Sequence, residues 1–372
     1  MSNTERTQFG SWIKLESLGQ GGQGQVLKVQ RSSGRNPELL AKLNDLLPDI
    51  CRNYNPTDRF PMVKDFVTVM KAIHSEANAP IGALKILHPL QGAASAKALG
   101  RMERELAALR SLKHPSLVNV LDASIQEKWF VMEYFSRGTL SGHIARTRGD
   151  ILGSLLAFRP LVDAVSQLHE ARYIHRDIKP DNVFVGDDGR LMLGDFGLVI
   201  NPSAATERLT DTYENVGSKE WMPGWALGIR MDDVQPTFDV FCLGKLFWAM
   251  LSGQPFLRLW YYAHPEFDVE AMFPGDPAMC WAKRVFRKCI VEHEKDCMKD
   301  AKELLKLVDE LIDTLQIGGQ FLRSAVPFRC RICGIGQYSP QLPSDSGDMH
   351  VVCSHCGHME TFSNPRIRPA WK

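Results

Sequence analysis

The sequence predicts an α+β chain: a two-part body followed by a small cysteine module. Three observations carry this. β-prone segments gather early, around a glycine-rich run; helical periodicities dominate from residue 101 onward; and two Cys-x-x-Cys pairs lie near the C-terminal end. The 372 residues, 44% of them hydrophobic, can bury a sizeable core and suggest two domains, or one two-lobed domain with an appendage. With 44 basic and 43 acidic residues, the formal charge of +1 gives no bulk attraction for nucleic acid or anionic membrane. No apolar run approaches a spanning helix, and residues 1–10 are polar rather than a signal peptide, so a cytoplasmic location and no membrane partner are expected. The nine cysteines, an odd number, argue against a complete disulfide framework.

Trp12-Ile13-Lys14-Leu15 leads into the run Gly19-Gln20-Gly21-Gly22-Gln23-Gly24, and Val26-Leu27-Lys28-Val29 leaves it, which predicts strand–loop–strand. Ala83 to Leu87 reads as the next strand. Residues 31–80 are too long for a hairpin turn. Leu39, Leu40, Leu43, Leu46 and Leu47 recur there at helical spacing, as do Phe66, Val67, Val69, Met70 and Ile73. An inserted pair of helices, parted at Asn55-Pro56, is predicted. Residues 101–112 form a helix with Met102, Leu106 and Leu109 on one face, and Pro115 closes that region. Residues 129–134 read as a strand and 152–170 as a helix. Val183-Phe184-Val185 and Leu191-Met192-Leu193 flank Gly186-Asp187-Asp188-Gly189 as a hairpin. Residues 239–252 are apolar almost all round, as in a buried central helix. Residues 302–315 are amphipathic, and Gly318-Gly319 ends that helix and opens a linker over 316–327.

Three motifs carry chemistry. His175-Arg176-Asp177-Ile178-Lys179-Pro180-Asp181-Asn182 sets an acid, a lysine and an amide in one loop, and Asp195-Phe196-Gly197 begins thirteen residues after Asn182. The upstream glycines let backbone amides approach phosphate oxygens with no side chain in the way. A dinucleotide-binding fold would start a helix at the third glycine, whereas β-prone residues follow it here. Together and in this order, the motifs resemble the signature set of eukaryotic-like (Hanks-type) serine/threonine protein kinases. The resemblance covers residues 9–315, apart from the insertion. It implies a bilobal protein-kinase fold with a helical insertion in the N-lobe.

The resemblance further implies ATP and catalytic Mg2+ as cofactors and protein substrates as partners. Asp177 would accept the proton of the substrate hydroxyl and orient it. Lys179 would face the transferring phosphoryl group and accompanies serine/threonine specificity in the family. Asn182 and Asp195 would supply hard oxygen ligands to magnesium. Lys85, two residues after Ala83, would hold the α and β phosphates, with Lys28 as its rival. Glu105 would pair with that lysine, with Glu103 as the near alternative. Met132 would be the gatekeeper, and the carbonyl of Glu133 and amide of Phe135 would take the adenine edge. Leu18, Gly19, Gly21, Gly22, Gly24, Val26, Ala83 and Phe184 complete the implied nucleotide set.

The chain also departs from the family pattern. Gly217-Ser218-Lys219-Glu220-Trp221-Met222-Pro223-Gly224-Trp225 stands where Ala-Pro-Glu is expected. Ser218 takes the small hydroxyl position near the substrate site, and Trp225 replaces the glutamate. In the family that glutamate pairs with a buried arginine, whose place Cys297 occupies. Losing both charges costs less than losing one, so an apolar replacement is expected. Arg176 goes in the family with control by a phosphate on the activation loop. Ser203, Thr206, Thr210, Thr212 and Ser218 are the candidate acceptors, and an always-active loop is the alternative.

Cys330-Arg331-Ile332-Cys333 and Cys353-Ser354-His355-Cys356 are separated by nineteen residues. Each pair puts two thiolates on one side of a tight turn, and two pairs complete a tetrahedron around structural Zn2+. Disulfides are the alternative, and His350, His355 and His358 are nearby competitors. This small C-terminal module with four cysteine ligands, residues 328–364, resembles a zinc ribbon, followed by a tail over 365–372. Arg329, Arg331, Arg366, Arg368 and Lys372 make this end basic, which leaves a partner or nucleic-acid contact open beside a solubilising role. Cys51, Cys242, Cys280, Cys289 and Cys297 lack ligand spacing and read as buried inert thiols. The functional expectation is ATP- and magnesium-dependent phosphorylation of serine or threonine on protein. A catalytically weak kinase-fold scaffold recruiting through the ribbon, and a small-molecule kinase, are the alternatives.

Overall fold

A computed structural model of the chain describes residues 7–20, 24–32, 45–48, 50–52, 61–70, 79–88, 92–196, 199, 220–227, 233–324, 333, 338–340, 349–353 and 355–362. The chain divides into two compact units, residues 1–110 with 118–134, and residues 111–117 with 135–372.

The first unit is a sheet with one long helix. Strands β1 (Gln8–Phe9), β2 (Trp12–Gln20), β3 (Gly24–Arg31), β4 (Ile81–Leu87), β5 (Val120–Ser124) and β6 (Trp129–Glu133) pair antiparallel in the order β1-β2-β3-β4-β6-β5. Period-two patterning gives the sheet two faces. On one, Phe9, Trp12, Leu27, Val29, Leu84, Ile86, Trp129 and Val131 form a core. Cross-strand partners share a face, so Val26, Lys85 and Phe130 form one row, and Lys28, Ala83 and Met132 the next. Helix α1 (Gly92–Ser111) begins earlier than its periodicity suggested and buries Met102, Leu106 and Leu109. Leu87, Phe130, Met102 and Leu106 pack as a second cluster. Within the predicted insertion, residues 45–48, 50–52 and 61–70 are helical; Leu39, Leu40, Leu43, Asn55, Pro56 and Ile73 lie outside the described residues.

The second unit is mainly helical. Helices α2 (Ile151–Glu170), α3 (Thr237–Ser252), α4 (Ala282–Cys289) and α5 (Ala301–Ser324) carry its core. Asp150 caps α2 by accepting from the Gly153 amide at 2.8 Å. Every residue of α3 from Phe238 to Ser252 is buried, as its all-round apolarity predicts, and Gly253 at φ +71° ends it in the left-handed conformation. Strands β7 (Val183–Val185) and β8 (Leu191–Leu193) form the expected hairpin.

Three expectations need correction. α5 runs on to Ser324, so residues 316–324 are helical rather than linker. Two glycines cost about 2 kcal/mol in a helix interior, which good helix formers on both sides can absorb. α2 is long and apolar enough to cross a membrane by length and composition, contrary to the reading that no such run exists. It buries ten residues within the unit, among them Leu155, Phe158, Leu161, Val162 and Val165, as a packed core helix does. Among the cysteines expected to be buried, finally, Cys51 is exposed and Cys280 half-buried.

Near the C-terminal end, β9 (Tyr338–Pro340), β10 (Met349–Cys353) and β11 (Met359–Phe362) form a three-stranded antiparallel sheet with β10 at its centre.

Candidate functional site

The predicted residues fall into two sets, one on each unit. In the first unit, Lys85 on β4 meets Glu105 on α1, with Nζ 3.2 Å from Oε1 and 3.1 Å from Oε2. Glu105 is buried and Glu103 is exposed, which resolves the two candidates. The buried face of α1 explains this, since Glu105 follows Met102 by three residues and precedes Leu109 by four. Lys28 instead pairs with Glu16 on β2 at 2.9 Å, and that bond raises its pKa. Ala83 and Met132 are register partners beside Lys85. The Glu133 carboxylate accepts from the Asn119 amide and side chain, both at 3.1 Å.

Gly24 has a packing reason to be glycine, because a Cβ there would lie 2.1 Å from the Ile86 carbonyl oxygen. A Cβ at Gly19 would meet nothing within 4 Å. Leu18, at the end of β2, is exposed, and Val26 on β3 is half-buried. Gly21 and Gly22 lie outside the described residues.

In the second unit, one loop and one hairpin gather Asp177, Lys179, Asn182 and Asp195. Lys179 Nζ lies 3.0 and 2.9 Å from the two carboxylate oxygens of Asp177. Asn182 Nδ2 donates to the Asp177 backbone carbonyl at 2.7 Å and to Asp177 Oδ2 at 2.8 Å. Both bonds use the amide hydrogens, so the Asn182 Oδ1 is the atom left to serve a cation. The Gly194 amide donates to the Asn182 carbonyl at 2.9 Å, tying Asp195 to the same loop. Asp195 itself sits at φ +53°, a conformation that costs a non-glycine residue energy and is held by its surroundings. Phe184 stacks on Phe135 with ring centres 5.1 Å apart.

The sequence reading missed what holds this loop. Asp239, fully buried at the start of α3, accepts from the His175 amide at 2.7 Å, the Arg176 amide at 2.8 Å and His169 Nε2 at 3.0 Å. His169 Nδ1 accepts from the Ala301 amide at 3.1 Å, so Nε2 carries the hydrogen. Burial pushes the Asp239 carboxyl up, but the hydrogen bond from His169, with that of the Arg176 amide, outweighs it and holds the carboxyl below the usual range. Arg176 has φ +67°, so the carboxylate pins a strained backbone. His175 is also fully buried, and burial pulls its pKa down. Its Nδ1 accepts from the Asp177 amide at 3.3 Å, its Nε2 donates to the Gly194 carbonyl at 3.1 Å, and its ring packs edge-on to Phe196 at 4.8 Å. A carboxylate in the first turn of an otherwise largely apolar helix was the one available hint, and it names no partner.

The family model described as "Protein kinase domain" matches residues 65–311. The chain belongs to the protein kinase domain family. Lys85, Glu105 and the 175–196 loop and hairpin lie within the matched stretch, and the glycine run precedes it. Among curated proteins, this kinase-family chain is 30% identical over 210 residues to "Serine/threonine-protein kinase PAK 1" of Mus musculus, covering 54% of the chain and 37% of that protein. It is 32% identical over 153 residues to "Serine/threonine-protein kinase pak-1" of Caenorhabditis elegans, covering 41% and 26%. The chain thus spans well under half the length of these relatives.

Trp225 and Cys297, the residues expected to replace the family's glutamate–arginine pair, each have partners in the second unit. Trp225 packs edge-on against Phe241 of α3 at 5.1 Å, and the Cys297 thiol donates to the carbonyls of Thr237 and Cys289, each at 3.6 Å. Burial pushes the Cys297 thiol up to about 12 and the Cys280 thiol up to about 11, with Cys242 and Cys289 well above their ordinary value. These thiols stay protonated at neutral pH. The candidate phosphate acceptors Ser203, Thr206, Thr210, Thr212 and Ser218 lie outside the described residues.

Three of the four expected zinc ligands converge. The sulfurs of Cys333, Cys353 and Cys356 all lie within 4.8 Å of one another, and Cys333 and Cys353 are 3.6 Å apart. A tetrahedral zinc with Zn–S of about 2.3 Å needs sulfur separations of ~3.8 Å, so the donor set fits that ion. The separation is far beyond a disulfide bond. Amides of His355 and Cys356 donate to the Cys353 sulfur at 3.4 and 3.5 Å, which suits a thiolate. Gly357 at φ +73° makes the turn that permits this. Cys330 and the basic residues of this end lie outside the described residues.

Proposed function

We propose that the chain transfers the γ-phosphoryl group of ATP to serine or threonine hydroxyls of protein substrates. The observation that carries this reading is the joined set Asp177–Lys179–Asn182, in which one carboxylate is oriented by an ammonium and an amide at hydrogen-bond distance. Phosphoryl transfer needs little covalent help; it needs an aligned nucleophile and neutralised charge. Asp177 accepts the hydrogen of the substrate hydroxyl and sets its direction. Lys179 balances charge beside it and favours serine and threonine as acceptors. Lys85, fixed by Glu105, meets the α and β phosphates. Asn182 and Asp195 offer the oxygens that suit magnesium, which when bound neutralises charge developing on the phosphates. Within the first unit, Ala83, Val26, Met132 and the glycine run are the residues that the family reading assigns to the nucleotide.

The test is transfer of labelled phosphate from ATP and magnesium to a generic basic protein by the full chain. Wild type should label it and Asp177→Ala should not.

The four-cysteine module is read as a structural zinc ribbon of residues 328–364, offering a surface for a partner, with the whole chain working in a reducing, cytoplasmic compartment. Purified protein should carry about one zinc per chain. Cys353→Ser should lower that content about tenfold and raise amide exchange past residue 327, since binding and folding of such modules are one event. Unchanged zinc in the variant would remove Cys353 from the ligand set.

A further inference from the structure

The segment that departs from the family pattern is held by α3 through an unexpected residue. Lys245 lies within α3 and is 0% exposed, so its ammonium does not reach solvent along its stem. It donates to the backbone carbonyl of Glu220 and sits 5.8 Å from the ring centre of Trp221 and 5.6 Å from that of Phe241. Three residues earlier on the same helical face, the Cys242 thiol donates to the Trp221 carbonyl at 3.4 Å. Trp225 rests on Phe241. One face of α3 therefore grips residues 220–225 at three points.

A lysine is a costly choice for that place. Burial pulls its ammonium down to about 8, with the Glu220 carboxylate partly restoring it, so it stays charged at neutral pH. Methionine of similar volume would fill the space without a desolvated charge. Packing alone does not explain the lysine, whereas capture of a carbonyl does.

We propose that Lys245 is a positioning residue for the acceptor peptide, fixing residues 220–225 in place of the missing glutamate–arginine pair. This rests on the protein-kinase reading, in which the stretch around Ser218 to Trp225 lies against the substrate.

The test uses the full chain carrying Lys245→Met. Amide exchange over residues 220–227 should rise about tenfold while α3 keeps its protection. Peptide KM should rise roughly tenfold, with kcat and the KM for ATP within about twofold, the mark of lost substrate positioning. The thermal midpoint should hold or increase, which a merely structural lysine would not permit. Lys245→Gln, which keeps an N–H donor, should return peptide KM to within about threefold of wild type, and Lys245→Leu, which has no donor, takes over the loss readouts if the methionine variant does not fold. A wild-type chain that phosphorylates no peptide sinks the protein-kinase reading and the acceptor role with it. Unchanged exchange, or an unchanged peptide KM in an active variant, sinks Lys245 alone.

Discussion

Asp177→Ala should reduce phosphoryl transfer on the order of 10³-fold, within the range expected for loss of a positioned general base. Asp177 is the hub of its loop, accepting from Lys179 on both oxygens and from Asn182 on one. Removing the carboxylate takes away the acceptor for the substrate hydroxyl and frees the two groups that orient it. The fall should sit in kcat, because Asp177 is not among the residues placed around adenine or phosphates, so the KM for ATP should stay within about threefold. Folding should survive. The backbone amides of His175 and Arg176 stay bonded to Asp239, and Asn182 still reaches the Asp177 backbone carbonyl. Single-turnover transfer together with a thermal melt separates these effects. Retained transfer in a folded variant would remove Asp177 from the chemistry.

Asp239→Ala should destabilise the second unit by about 3–5 kcal/mol, the range for breaking a buried charged network. Three donors lose one acceptor together: the amides of His175 and Arg176, and His169 Nε2. Each buried unsatisfied group costs roughly 1–3 kcal/mol, against total stabilities of about 5–15 kcal/mol for a domain. Arg176 would also lose the bond that holds its positive φ. Denaturant melts measure the loss, and a melt within experimental error of wild type would contradict the assigned role. The same network sets a pH dependence. Both His175 and Asp239 have folded pKa values below their ordinary ones. Their contributions are complete above the unfolded values, about 6.5 and about 3.9, and are lost as pH falls through the folded ones. Stability should therefore hold from pH 8 to 7, decline below about 6.5 as the unfolded histidine takes up its proton, and decline again in the carboxylate range.

The pairing of Lys85 with Glu105 was legible because each motif names its own residue type, and the helical face of α1 then selects Glu105 over Glu103. The hairpin at 183–193 and the buried helix α3 were legible from period and composition. Asp239 and Lys245 were not, since their partners are backbone groups distant in the chain, and no spacing records a carbonyl or an amide. The run of α5 past Gly318-Gly319 was hidden for another reason: glycine lowers helix propensity by a fixed amount, and whether the helix stops depends on its neighbours. Gly24 shows the converse. A glycine that matches a phosphate-loop pattern also answers to the close approach of the β4 backbone, so its identity alone does not separate the two causes.

The most direct test is residue-level mass spectrometry of the full chain and a mixed peptide pool after incubation with ATP and magnesium. The account predicts phosphoserine and phosphothreonine in the wild-type reaction, with none above background for Asp177→Ala. Phosphate confined to tyrosine, equal incorporation by both proteins, or none by either would contradict it.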